Sequence, residues 1–161
     1  MLKRKARAEG FVRWLPACCC LALGVFVGIG GFTFHYAEGL SYLSDEPETC
    51  INCHVMQEHY DSWLKASHRT AATCNDCHVP PTFPEKYLVK GLNGWNHSKA
   101  FTLQNFAEPI RIRPFNLDVL QHNCIECHSV LVSEMVGHLD VQLGTARCTD
   151  CHRSVGHMGT Y

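Results

Sequence analysis

Outside four short motifs the sequence has no cysteine with which to build a disulfide framework. Of eleven cysteines, eight lie in those motifs and the other three form the run Cys18, Cys19 and Cys20. A small secreted domain stapled by disulfides is therefore excluded. The chain also lacks a basic surface suited to nucleic acid. Lys3, Arg4, Lys5, Arg7 and Arg13 crowd the N-terminus against Glu9 alone, and the remainder carries nine Lys and Arg against fourteen Asp and Glu. That excess of acid leaves no nucleic-acid footprint. Convincing strand patterns are missing too, which points away from a sheet-built domain.

What the chain does have is one phrase used four times: Cys50-x-x-Cys53-His54, Cys74-x-x-Cys77-His78, Cys124-x-x-Cys127-His128 and Cys148-x-x-Cys151-His152. C-x-x-C-H is the attachment signature of c-type haem. Two cysteines three positions apart bond to the two vinyl groups of one porphyrin, and the histidine that follows is held beneath the iron as proximal ligand. Zinc ribbons do not require histidine directly after the second cysteine at every repeat. Four covalently bound haem c groups are thus expected in a chain of 161 residues. The core of such a domain is mostly porphyrin, and without haem it is expected to stay unfolded, as small metal-dependent domains do. Haem is attached on the outer side of the bacterial cytoplasmic membrane, which puts residues after about 45 in the periplasm.

Trp14 to Phe34 is a run of 21 residues without a charge. At ~1.5 Å per residue it spans about 31 Å, close to the hydrocarbon thickness of a bilayer. Basic residues precede it, so the N-terminus is expected to stay in the cytoplasm while the rest is exported. The run exceeds the core of a cleaved signal and no A-x-A-like site follows it, which favours a retained signal-anchor. Gly24 and Gly28 form a G-x-x-x-G pattern that allows self-association, though glycine tolerated in lipid reads equally well. Cys18 to Cys20 lie inside the span as small hydrophobes. The expected domains are a basic cytoplasmic segment (1–13), a transmembrane signal-anchor (14–34) and a periplasmic tetrahaem c domain (35–161). The fold class is mainly α and irregular: one N-terminal transmembrane helix plus a small periplasmic multihaem cytochrome c domain.

Residues 35–49 read as a short tether, so the first haem is expected near the membrane surface. Cys50 to Cys74 is 24 positions and Cys124 to Cys148 is again 24, which suggests a duplicated two-haem unit, about 50–78 and about 124–157, around a central insert of about 79–123. Met56–Ala72, Ser129–Leu143 and Lys86–Phe101 read as helices. Pro80, Pro81 and Pro84 break the chain after the second motif. Low-spin haem usually takes a second axial ligand. His157, five residues past His152, reaches a neighbouring haem, and His68 ends a helix leaving the first motif; these two are the expected distal ligands. His122 and His138 read as surface or haem-packing residues, His35 as interfacial and His59 as a solvated helix residue. Spacing alone favours His54 on the first iron, with Met56 as packing.

The arrangement C-x-x-C-H-x-M at residues 50–56, Val79-Pro80 after the second motif, four motifs in all and one N-terminal anchor resemble the NapC/NirT family of membrane-bound quinol dehydrogenases. The short C-terminal stretch, nine residues past His152, and the run from Cys148 to Met158 are similar to the branch that serves cytochrome c nitrite reductase. The resemblance implies that Met56 is the axial ligand of the first haem and displaces His54, while His78, His128 and His152 stay proximal. It implies a menaquinol pocket beside that haem, with the family's quinol lysine falling on Lys90. Where some members place an aspartate, this chain has His97, which is left to ligate iron, to accept a quinol proton or to line the pocket.

Quinol oxidation releases two protons with two electrons and needs groups that bind and relay protons beside the acceptor. Lys90 offers a cation for a quinolate oxygen, and a histidine titrates in the useful range. Trp95, Phe101 and Phe106 in the same segment suit a membrane surface. The resemblance further implies that the partner, a multihaem nitrite reductase catalytic subunit, donates a distal lysine to one haem. No C-x-x-C-K motif is present, so this chain is not itself expected to reduce nitrite. The expected function is menaquinol oxidation feeding nitrite reduction to ammonia. Alternatives are a quinol dehydrogenase for a nitrate or trimethylamine oxide reductase, and a membrane-tethered electron carrier without its own quinone site.

Overall fold

The computed structural model describes the backbone of residues 2–134, 141 and 144–157, with side chains from Arg13 onward. It divides into two units, Met1–Leu40 and Ser41–Tyr161. The first unit is dominated by α1, Leu2–Tyr36. This helix extends beyond both ends of the uncharged run, because nothing in the flanking residues stops it; even Pro16 lies inside it. Its stretch Arg13–Tyr36, 24 residues, is long and apolar enough to cross a membrane, and none of it is buried within the chain. A Cβ added at Gly24, Gly28, Gly30 or Gly31 would meet nothing within 4 Å.

The second unit is built from short helices and turns, with no strand among the described residues. The first motif lies in 3-10 turns, Pro47–Asn52 and His54–Met56, joined by an extended Cys53. The helix expected over Met56–Ala72 is much shorter: α2 covers Gln57–Trp63. The indole N–H of Trp63 donates to the Ala72 carbonyl at 3.1 Å, which holds residues 64–72 folded back in turns. α3, Cys74–His78, carries the second motif. Beyond the prolines, α4 runs Glu85–Leu103, enclosing the expected Lys86–Phe101, and ends where Gln104 turns left-handed. α6 spans Ser129–Glu134; most of the remaining helix expected to Leu143, and His138 with it, lies outside the described residues. The last motif forms α7, Cys148–Cys151.

The element that sequence reasoning missed is α5, Pro114–Cys127, which begins with proline at its first turn, where the lost N–H costs nothing, and ends in the third motif. It holds the unit together through polar side chains. Asn123 is buried, and its amide donates to the carbonyls of Asp76, Cys77 and Val79 at 3.0, 3.2 and 2.8 Å. Asn116 reaches Asn93 on α4 at 2.9 Å. Gln121 accepts the Cys148 N–H and Asp118 the Arg147 guanidinium, each at 2.9 Å. The second and fourth motifs are alike: Asp76 accepts the Thr73 N–H at 2.7 Å and Asp150 the Arg147 N–H at 2.9 Å, each capping the start of its helix. The first and third motifs differ, one lying in 3-10 turns and the other ending a 14-residue helix. Among the described residues the buried apolar side chains are only Pro47, Val79 and Val89.

Candidate functional site

In the helical motifs, residues i, i+3 and i+4 share one helix face, so Cys74, Cys77 and His78 are presented together on α3. In the third and fourth motifs the histidine follows as the helix cap. All eleven cysteines are free. Among the described residues no three His, Cys, Asp or Glu side chains gather as a single-ion site, so the cysteine pairs do not assemble zinc-type clusters. Burial pushes the Cys77 thiol up, and burial with nearby Cys148 and Cys77 pushes Cys124 up to about 11. The neighbouring Cys74 thiol pushes Cys50 down, while Cys50 and burial push Cys74 up.

Two imidazoles bound on opposite sides of one metal, each at roughly 2 Å, have ring centres about 6 Å apart. Two pairs in this chain have that spacing. His78 and His157 lie 6.1 Å apart between centroids, and His68 and His128 lie 6.0 Å apart. The structure thus brings each expected distal histidine to one motif histidine. His157 Nδ1 lies 3.0 Å from the His59 carbonyl, so with the proton on Nδ1 its Nε2 is left free, the arrangement common for a metal-bound imidazole. His59, expected to be solvated, is half-buried with its ring 5.4 Å from that of His157. Burial, then His157 and His59, push His78 down to about 4. His152 is exposed, and among the described residues no histidine ring is paired with it. His122 is exposed beside Glu126. In the first motif His54 is exposed, whereas Met56 is half-buried.

The second feature is the face of α4 that carries Lys86, Lys90, Gly94 and His97, spaced so that all point one way. Lys90 is 5% exposed. Its Nζ donates to the Ser44 carbonyl at 2.7 Å, to Asp45 Oδ1 at 2.9 Å and to the Leu43 carbonyl at 3.3 Å. An ammonium has three N–H bonds, and all three are engaged. Lys86 binds the other oxygen of Asp45, and Asn75 of the second motif donates to Oδ1 at 2.9 Å. Hydrogen bonds from Lys86 and then Lys90 hold the Asp45 carboxyl at about 2.

One residue earlier than Leu43, Tyr42 Oη lies 2.6 Å from His97 Nδ1. A Cβ at Gly94 would stand in ordinary contact with the Tyr42 ring, 3.4 Å away, so the ring lies directly against this part of α4. Burial raises Tyr42 to about 12, with Cys53 and Cys50 adding to the rise; burial and Arg113 lower His97. Lys90 acts on Cys50 in the same way, lowering its thiol. Both residues expected for quinol chemistry thus contact residues 42–45, which adjoin the first motif through the Asn52–Ser41 hydrogen bond of 2.8 Å. Tyr42 and Asp45 had no signal in the sequence, because their partners are 55 and 45 positions away.

Residues 13–112 match the NapC/NirT cytochrome c family, N-terminal region. The cytochrome c-type protein NrfH of Wolinella succinogenes is 38% identical over 146 residues, covering 85% of this chain and 80% of that protein. The cytochrome c nitrite reductase subunit NrfH of Nitratidesulfovibrio vulgaris is 31% identical over 122 residues, 76% of this chain and 73% of that one. Among solved structures, the crystal structure of the cytochrome c nitrite reductase NrfHA complex bound to the HQNO inhibitor is similar with a TM-score of 0.64 at 27% identity. That likeness covers 88% of this chain and 92% of the other.

Proposed function

This chain belongs to the NapC/NirT cytochrome c family, and from that premise we propose that it is a membrane-anchored tetrahaem cytochrome that oxidises menaquinol and passes the electrons to a multihaem nitrite reductase catalytic subunit in the periplasm. The observation that carries this reading is the packing of the Lys90–His97 face of α4 against residues 42–45, beside Cys50 and Cys53. The similarity to NrfH proteins supports the choice of partner.

The residues present fit four haems. Four cysteine pairs stand free to attach them, and a unit whose buried apolar side chains, among the described residues, amount to two valines and a proline needs another apolar body for its core. Met56, half-buried next to an exposed His54, would hold the first. His78 with His157 and His128 with His68 would hold the second and third. His152, exposed and unpaired among the described histidines, would hold the fourth, together with a lysine of the catalytic subunit. When bound, haem iron supplies one-electron redox chemistry.

The protein's own part at the quinol is electrostatic and protonic. Lys90 keeps a positive charge beside the first motif, where it favours a developing quinolate. Contact with a quinol oxygen would release its longest bond, that to Leu43. His97 is the proton acceptor. The opposite face of α4 leaves Leu88, Leu92 and Trp95 exposed at 68, 45 and 67%, a surface suited to lipid, from which menaquinol enters.

The test is anaerobic reduction of the detergent-purified full chain by a short-tailed naphthoquinol, followed by haem absorbance. Reduction is expected in the wild type and its loss in Lys90→Leu. Wild-type haems that dithionite reduces but the quinol does not would overturn the reading.

A further inference from the structure

We infer that Tyr42 and His97 form a two-residue proton exit for the quinol site, His97 taking the proton and Tyr42 passing it to solvent. This rests on the quinol reading above and names a residue that neither sequence nor family assigned. The contact of 2.6 Å between Tyr42 Oη and His97 Nδ1 occupies one ring nitrogen and leaves Nε2 for a substrate. The pair adjoins the first motif, since Asn52 donates to Ser41 Oγ at 2.8 Å, one residue before Tyr42. Tyr42 is 40% exposed, so water reaches its side chain.

The proton count closes without a free base. A quinol O–H bond breaks and its proton forms an N–H bond at His97 Nε2. The proton on Nδ1 moves to Tyr42 Oη as the original Tyr42 O–H proton leaves to water. Tautomerisation of the neutral ring, in which the Nε2 proton leaves to water as a water proton enters at Nδ1, together with rotation of the hydroxyl, restores the pair for the second proton; bound haem would supply the acceptor for the two electrons, one at a time. Tyr42 must stay neutral for this, and burial, which raises it, keeps it so. His97 must start neutral, and burial with the Arg113 guanidinium lowers its affinity for an extra proton. The groups facing the pair are thus Arg113, Cys50 and Cys53, with Lys90 two turns back on α4.

The experiment uses the full chain in detergent with all haems attached, mixed anaerobically with a short-tailed naphthoquinol in H2O and in D2O. Tyr42→Phe and His97→Gln are each expected to slow quinol-driven reduction roughly tenfold or more, within the range for a lost proton-transfer group. Each is also expected to change the solvent isotope effect, while haem content and the rate with dithionite stay unchanged. The double variant should be no slower than the worse single one, because both residues serve one path. Wild-type rate and isotope effect in Tyr42→Phe would overturn the exit while leaving the quinol reading intact. So would multiplicative losses in the double variant. A wild type inert to the quinol but reduced by dithionite would overturn both.

Discussion

Asp45 shows how much one side chain can be asked to hold. It takes hydrogen bonds from Lys86, Lys90 and Asn75, and so joins α4 to the second motif. Its carboxyl is held at about 2, below the ~3.9 of an unfolded chain. A depressed carboxyl adds stability above the unfolded value, and loses it as pH falls through the folded one. The contribution should therefore be complete above about pH 4 and gone near pH 2. Half the side chain is open to water, so it amounts to about 1 kcal/mol or less. Asp45→Asn should lower the thermal midpoint slightly at pH 7 and flatten its fall between pH 4 and 2. Lys90→Met removes the donor of two backbone carbonyls and should cost about 1–3 kcal/mol, seen as a larger drop in midpoint. At the first haem, Met56→Leu should alter the visible and paramagnetic-resonance spectra of one haem in four, and His54→Leu should leave them unchanged. The four motifs were legible in the sequence because covalent attachment fixes their spacing; His68 and His157 were singled out by their distance from the motifs, and each lies about 6 Å from a motif histidine ring. Asp45 and Tyr42 were not, since what they do is set by residues far along the chain.

At the scale of elements, α4 was readable from its pattern between the prolines and Phe101. α5 was not: its packing side is made of Asn116, Asp118, Gln121 and Asn123 rather than apolar residues, so no hydrophobic period marks it. α2 was overextended because Trp63 looked like a helix-face residue, whereas its indole ties down Ala72. The weight carried by α5 can be measured. Asn123→Ala leaves three carbonyls around Asp76–Val79 without their donor and should destabilise the haem-loaded protein by about 1–3 kcal/mol in chemical denaturation. Asn123→Asp should be worse, since it sets a carboxylate against those same oxygens.

At the scale of the molecule, the second unit has almost no hydrocarbon core of its own, with Pro47, Val79 and Val89 its buried apolar side chains among the described residues. Haem count and folding should then rise and fall together. Pyridine haemochrome assay of the purified chain should give four haems, and the pair Cys124→Ala with Cys127→Ala should give three, with lost helical circular dichroism rather than an intact apoprotein fold. α1 should keep the chain in the membrane fraction through a high-salt wash until detergent is added.

His157 touches the His59 carbonyl 98 positions upstream and lies 6.1 Å from the ring of His78. A ribosome delivers those partners long before their visitor. On the ligation proposed above, a haem taken up at His78 would wait for its second holder until a residue 79 positions further along had been made.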